Sequence, residues 1–540
     1  MDHTTNTLTH PTANNQTKNN QTSLALSPPQ LLSIVAFCLG LGVFANWLLQ
    51  GFAVGLNVSL MSTVMVVGLI VLARYAKLDL GLNPVLLSCL LIFGMLFSWR
   101  DSSFLQALNI FVQGLLFCLI AARATQPHLR QTNFAEGIFN LVITTFGFII
   151  SPLQFLWRVP WQKLRRQSTL SKQPAVAASI RGVLIALPLL VIFTGLFVSA
   201  DARFQALLNP LLQWDIGELL EHIIFSIIYA GLTFAFLSQT LLARPWQQLD
   251  PKPPSSLRLG NIETALVYGS LVLLFSTFIA VQASYLFAGE SAVLTSELSY
   301  ANYGRRGFFE LVTVTFLLHI VLLVGMWTSQ AKRLYRTLAS VLVGLLYAVI
   351  VSAFIRLNLY IQVYGLTELR YYSSAMILWI AGLMVLFLLR LHSSREPKLA
   401  YSYFMFGMLG VVGLYISNPD ARIANINLAR AQAGLSLDVG YFYQLSADAA
   451  PSVLEYYEAS TGDDEVQDQL APLIEWYVRQ DLNDNDWRAW NWGRWRRSRR
   501  LAASLDIYSL DGTNRGGELP GNTRNITGSS SSSASGWIFD

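Results

Sequence analysis

Apolar runs dominate the first 417 positions. They fall at 31–49, 56–73, 82–99, 104–122, 138–156, 182–199, 222–242, 262–287, 307–329, 337–360, 372–390 and 399–417. Each comes close to the roughly 20 residues that a helix needs to cross a bilayer. The polar loops between them sort by charge. Arg74 and Lys77 follow the second run, Arg123 and Arg130 the fourth, and Arg158, Lys163, Arg165, Arg166, Lys172 and Arg181 fill the segment 157–181. Further on come Arg244, Lys252 and Arg258, then Lys332, Arg333 and Arg336, then Arg390, Arg395 and Lys398. Cytoplasmic loops collect Lys and Arg, and these loops share one side only if the run 138–156 does not cross. That run follows Glu136-Gly137 and is interrupted by Ser151-Pro152 and Gln154. The pattern therefore predicts an all-α fold: a polytopic transmembrane helix bundle of about 11 spans plus one re-entrant or interfacial helix. Its N-terminus is cytoplasmic, its C-terminus extracytoplasmic, and its expected location is the inner (plasma) membrane.

Beyond position 417 the pattern becomes amphipathic. Asn418-Pro419 is a helix start with Pro at the first helical position. A second helix is expected from Ser446, and a third from Asp463-Asp464, where Val466, Leu470, Ile474 and Tyr477 recur at helical spacing. A fourth runs from Asp486 to Leu505 and mixes Trp487, Trp490, Trp492 and Trp495 with six arginines. The chain thus divides into a polar tail (1–30), a transmembrane helical part (31–417), a small extracytoplasmic helical domain (418–510) and a Ser- and Gly-rich tail (511–540). Both tails read as disordered.

Composition turns this pattern into a statement about solvent. Hydrophobic residues make up 53% of the chain and charged residues 13%, with a mean hydropathy of +0.44. Soluble chains carry about 25% charged residues, so lipid must cover the excess apolar surface. Residues 1–417 hold 26 Lys/Arg and 15 Asp/Glu (+11), and residues 418–540 hold 11 and 17 (−6), which together give the net +5. The basic balance belongs to the membrane part and reports topology. It gives no warrant for nucleic acid, and an extracytoplasmic Trp/Arg helix is better explained by lipid headgroups or by packing between domains. Cys38, Cys89 and Cys118 lie in separate apolar runs without metal-ligand spacing.

Candidate chemistry sits in two places. Glu310 and His319 lie inside the run 307–329, and Arg356 lies inside the next. Ionisable groups at that depth are expensive and are usually paired or functional. Glu310 and His319 are nine residues apart, which puts them on opposite helix faces, so a shared site needs a second helix. Arg356 supplies the charge for one, and a buried ion pair fixing helix packing is the plainer reading. The second place is an outer polar pocket. Tyr300, Tyr303, Arg305 and Arg306 from one outer loop would meet Tyr364, Thr367, Glu368 and Arg370 from the next, although tyrosines at such boundaries also serve as interfacial anchors. Glu218, Glu221 and His222 share a helix face at a metal-compatible spacing, but no second ligand-bearing helix is visible. No catalytic motif, cofactor motif or metal site emerges.

The stretches SADARF (199–204), YANYGRRGFFEL (300–311), YGLTELR (364–370), LDVGYFYQLSADAAPSVLEYY (437–457) and DWRAWNWGRWRR (486–497) resemble a family of bacterial multi-pass membrane proteins catalogued only as a domain of unknown function. The resemblance spans about residues 180 to 505. It implies a membrane location and a bacterial source, and it carries over no functional residue. The expected role is a non-enzymatic membrane signalling or assembly component. Its partners would be the lipid bilayer and a protein bound through 418–510. The alternatives are a secondary transporter or ion-coupled permease using Glu310, His319 and Arg356, and a membrane enzyme acting on a lipid or envelope precursor.

Overall fold

The computed structural model describes residues 28–75, 84–125, 142–151, 216–242, 257–286, 308–393, 399–460, 462–483 and 486–511, with scattered helical positions in 182–200. Among these residues the fold is all-α, and the single isolated β-bridge joins Leu259 and Ser329. Ten apolar helices of the bundle have their bounds among the described residues: α1 (Pro28–Leu49), α2 (Leu56–Tyr75), α3 (Pro84–Leu96), α4 (Ser103–Thr125), α5 (Ile216–Leu242), α6 (Asn261–Leu286), α7 (Phe308–Thr328), α8 (Lys332–Tyr364), α9 (Glu368–His392) and α10 (Leu399–Ser417). Eight helices among the described residues are long and apolar enough to cross a membrane, and Ser33–Leu49, Pro84–Leu96 and Val142–Ser151 are shorter apolar stretches. The run expected at 182–199 falls mostly outside the described residues. The sequence pattern counts apolar residues and so runs on to position 99, whereas a turn at 97–99 ends α3 at Leu96.

The described part of the apolar run 138–156 is the helical stretch Val142–Ser151. It packs where α4 and α5 finish. Cys118 Sγ lies 3.8 Å from the Thr145 hydroxyl, and the Ser151 and Ser238 hydroxyls lie 3.0 Å apart.

Among the described residues the bundle has two cores. One gathers Ile34, Leu69, Phe93, Leu116, Leu237 and Tyr415 from α1 to α5 and α10. The other gathers Tyr268, Leu322, Leu346, Ile380 and Phe387 from α6 to α9. Around both, large apolar side chains such as Phe111, Leu232, Leu266 and Leu378 face outward, which only a lipid environment accommodates without cost. Small residues allow the close approach that membrane helices rely on. A Cβ on Gly42 would lie 2.4 Å from the Ser226 carbonyl oxygen, so α1 and α5 touch backbone to backbone there.

The two ends of the bundle are distinguishable. At one end, the Leu259 and Gln330 amides bond to the Thr328 and Leu259 carbonyls, bringing Arg258 and Lys332 to the same level. At the other end lie the turns 50–55, 97–102 and 365–367. There a third core forms from Leu366 and the C-terminal helices α11 (Pro419–Gln432), α12 (Val439–Phe442), α13 (Ala450–Ala459), α14 (Asp464–Asn483) and α15 (Trp492–Asp511). Its interior includes Ile423, Phe442, Val453, Leu473 and Tyr477.

Candidate functional site

The strongest polar constellation joins the C-terminal helices to the bundle, and it is built on a very short loop. After α3 the chain turns through Phe97–Ser102 before α4 begins, leaving Arg100 and Asp101 no room to extend into solvent. Arg100 is buried. Its Nε donates to the Tyr415 carbonyl (2.9 Å) and its Nη1 to Asp448 Oδ1 (3.1 Å). The other Asp448 oxygen accepts from the Asp101 amide at 2.9 Å. Asp101 Oδ1 in turn accepts from Arg494 Nε at 2.8 Å, while Arg494 also donates to the Ala489 and Val54 carbonyls. Side chains of the Arg100–Asp448 pair are 9% and 1% exposed. Two guanidiniums and two carboxylates thus alternate between layers, joined by charge-assisted bonds, the strong class of hydrogen bond.

The segment 486–495 is shaped to this loop. The Trp492 amide donates to Ser98 O (2.8 Å), the Leu56 amide donates to Trp490 O (2.8 Å), and Asn491 Nδ2 bonds the carbonyls of Phe97 and Arg100. Gly55 and Gly493 make the approach possible. A Cβ on Gly55 would lie 2.5 Å from Trp490 O, and one on Gly493 would lie 2.9 Å from the Asp448 carboxylate. The expected single helix from 486 to 505 is therefore split. A 3-10 turn, Trp487–Ala489, is capped by Asp486, and α15 starts afresh at Trp492 with Asn491 accepting from the Gly493 amide.

Asp420 adds a third carboxylate. It is 1% exposed; its Oδ2 accepts from the Ser446 amide (3.2 Å), and its Oδ1 has no hydrogen-bond partner among the described residues. Burial, with the charges of Asp448 and Asp101 adding to it, pushes its carboxyl up to about 6. Burial also raises Asp448 above the ordinary carboxylate range, with Arg100 opposing the shift.

A second contact uses YGLTELR. Asn427 clamps the Leu366 backbone in both directions, its Oδ1 accepting from Leu366 N (2.9 Å) and its Nδ2 donating to Leu366 O (2.7 Å). Arg430 donates to the Gln362 and Val363 carbonyls at the open C-terminus of α8, where positive charge is favoured. Arg370 donates to Tyr364 O (3.0 Å) and lies 4.1 Å over the Tyr360 ring. The Glu368 amide donates to the Tyr441 hydroxyl (2.6 Å), and Thr367 is the N-cap residue of α9 with no side-chain cap bond. Tyr364, Thr367, Glu368 and Arg370 thus lie along a docking loop; Tyr300, Tyr303, Arg305 and Arg306 lie outside the described residues.

The intramembrane candidates lie on the adjacent helices α7 and α8. Glu310 is exposed in the first turn of α7, Arg356 is half-buried in α8, and no ion pair joins the two among the described residues. His319 is 5% exposed and sits between the rings of Tyr403 (5.6 Å, stacked) and Phe387 (5.9 Å, edge-on), with neither ring nitrogen hydrogen-bonded among the described residues. His222 lies 3.8 Å from Glu218 and accepts at Nδ1 from Asn46 (3.0 Å), tying α5 to the end of α1. No cluster of three metal-ligating side chains occurs among the described residues.

Sequence reasoning missed Arg100, Asp101, Asp420, Asp448, Asn491 and Arg494. The available signal was Trp99-Arg100-Asp101, a charged pair in a turn too short to be a solvated loop.

Apolar helices with outward-facing large hydrophobic side chains, closed at one end by a charged helical layer, define a polytopic helical membrane protein. The chain belongs to the family described as domain of unknown function DUF4153, whose model matches residues 86–456. The match includes Arg100, Asp101, Asp420 and Asp448, while Arg488, Asn491 and Arg494 lie beyond it. Comparison with curated proteins and with solved structures gives no match.

Proposed function

We infer that the chain is a non-enzymatic signalling or assembly component of a bacterial plasma membrane, with the helical layer 418–510 presented on the extracytoplasmic side as a protein-binding module. The observation that carries this is the buried Arg100–Asp448–Asp101–Arg494 chain, which makes the module a fixed continuation of the bundle. A tethered domain needs no such joint, whereas one that passes a positional signal between lipid and partner does. The basic loops at the opposite end of the bundle support a cytoplasmic N-terminus.

An impermeant thiol reagent on intact cells should label a cysteine at position 435 and leave one at 333 untouched; the reverse pattern contradicts the orientation. Photoreactive residues at Leu435 and Tyr443, both exposed on the module, should give discrete protein adducts in native membranes. Absence of adducts, together with solute uptake in proteoliposomes that is abolished by His319→Leu, would replace this reading with transport. That second reading rests on His319, whose two buried ring nitrogens have no hydrogen-bond partner among the described residues.

A further inference from the structure

The six arginines of 488–500 divide by partner. Arg488 pairs with Asp486 (2.7 Å), Arg494 with Asp101 (2.8 Å), Arg497 with Asp481 (3.5 Å) and Arg500 with Glu458 (2.5 Å). Arg496 and Arg499 have no acidic partner among the described residues. Together with Trp492 and Trp495 they occupy positions i, i+3, i+4 and i+7, a single stripe of α15. The opposite face, carrying Arg494, Arg497 and Leu501, is buried against the module and bundle. On the stripe, the Trp492 and Trp495 rings stack at 4.7 Å, the Arg499 guanidinium lies 5.2 Å over Trp495, and the two indoles remain 38% and 37% exposed.

The level of this stripe is fixed by the joint. Trp492 is bonded to Ser98 at the end of α3, and the Trp487 ring lies 6.1 Å from that of Trp47 in the last turn of α1. The first turn of α15 therefore sits where the bundle helices end, at the bilayer boundary. Exposed indoles are favoured at that boundary, and a guanidinium matches a phosphodiester with two parallel donors. The surrounding region, 418–540, carries net charge −6, so a cationic stripe without acidic partners among the described residues is a local arrangement and not part of a general basic surface.

We propose that Trp492, Trp495, Arg496 and Arg499 form a binding site for the headgroup of an anionic phospholipid in the leaflet that the module faces. Arg496 and Arg499 hold the phosphodiester and the two indoles lie against the glycerol and upper acyl region. This rests on the bundle end being a bilayer boundary and is independent of whether the module binds a protein.

The test uses the full chain in nanodiscs containing phosphatidylglycerol. One preparation is doped with a phosphatidylglycerol carrying a headgroup-proximal photoreactive group, and another with a phosphatidylcholine carrying the same group. Adducts are mapped by mass spectrometry. The anionic probe should label the segment around 492–499 several-fold more than the zwitterionic one. Excess unlabelled phosphatidylglycerol should compete and inorganic phosphate should not. Arg496→Gln/Arg499→Gln should remove the preference, while Arg496→Lys/Arg499→Lys should keep part of it. An unchanged protease pattern confirms that each variant folds. Equal labelling by both probes, competition by inorganic phosphate, or adducts on this stripe to a protein in place of lipid would each overturn the proposal.

Discussion

Asp448→Ala in the full chain is expected to free the C-terminal layer from the bundle. Among the described residues the substitution leaves the buried Arg100 guanidinium with the Tyr415 carbonyl as its one hydrogen-bond partner and the Trp99 ring beside it, and strips the Asp101 amide of its acceptor. Removing one member of a buried pair costs about 3–5 kcal/mol, most of it the penalty of the stranded charge. The double variant Arg100→Ala/Asp448→Ala removes that charge as well and should recover part of the loss. Limited proteolysis in membranes reads the effect: the single variant should release fragments of 418–510 under conditions in which the parent chain stays intact. Equal resistance of parent and single variant would mean that the pair does not hold the layers together.

Asp420 gives the second large effect, and its sign is opposite to that of an ordinary salt-bridged carboxylate. Folding raises its carboxyl from 3.8 to about 6, so between those values the folded chain keeps a proton that the unfolded chain has lost. The associated stability is fully present below the unfolded value and is lost as pH rises through about 6. A shift of about two units corresponds to about 3 kcal/mol. Asp420→Asn removes the ionisation, and an Asn side-chain oxygen still accepts from the Ser446 amide. The variant should therefore be more stable than the parent at pH 7 to 8, with that advantage gone near pH 4. Thermal unfolding of both chains across this range checks it. Comparing the two chains cancels carboxylates that do not interact with Asp420, such as Asp486, which Arg488 holds below its usual range. A stability difference that does not change with pH would show that Asp420 does not titrate as described.

The bundle was legible in the sequence because lipid imposes a rule that a single run of residues displays: about 20 apolar positions, then charge. The C-terminal helices were legible for a similar local reason. Pro419 at the first helical position, and Leu470, Ile474 and Tyr477 at helical spacing, each act within one element. The joint was not legible, because its pairs are distant in the chain. Arg100 meets Asp448 and Asp101 meets Arg494, each across more than three hundred positions, and no periodicity links them. DWRAWNWGRW shows why composition alone misleads. Its tryptophans and arginines suggested one amphipathic helix, but Asn491 and Gly493 break it so that backbone groups can reach the Phe97–Ser102 turn. Glu310, His319 and Arg356 show the converse: rare intramembrane charges attract attention in a sequence, yet among the described residues no ion pair joins Glu310 to Arg356.

The central claim, that the C-terminal layer is bonded to the bundle backbone, is tested most directly by hydrogen exchange at two amides. Leu56 and Trp492 are the first residues of α2 and α15, and the first amides of a helix have no intrahelical acceptor. Their only described acceptors lie across the joint, at Trp490 and Ser98 respectively. In the full chain in nanodiscs, both amides should exchange as slowly as amides in the bundle core, and both should speed up together in Asp448→Ala. Fast exchange at Leu56 and Trp492 in the parent chain, with the helices around them protected, would contradict the joint and the account built on it.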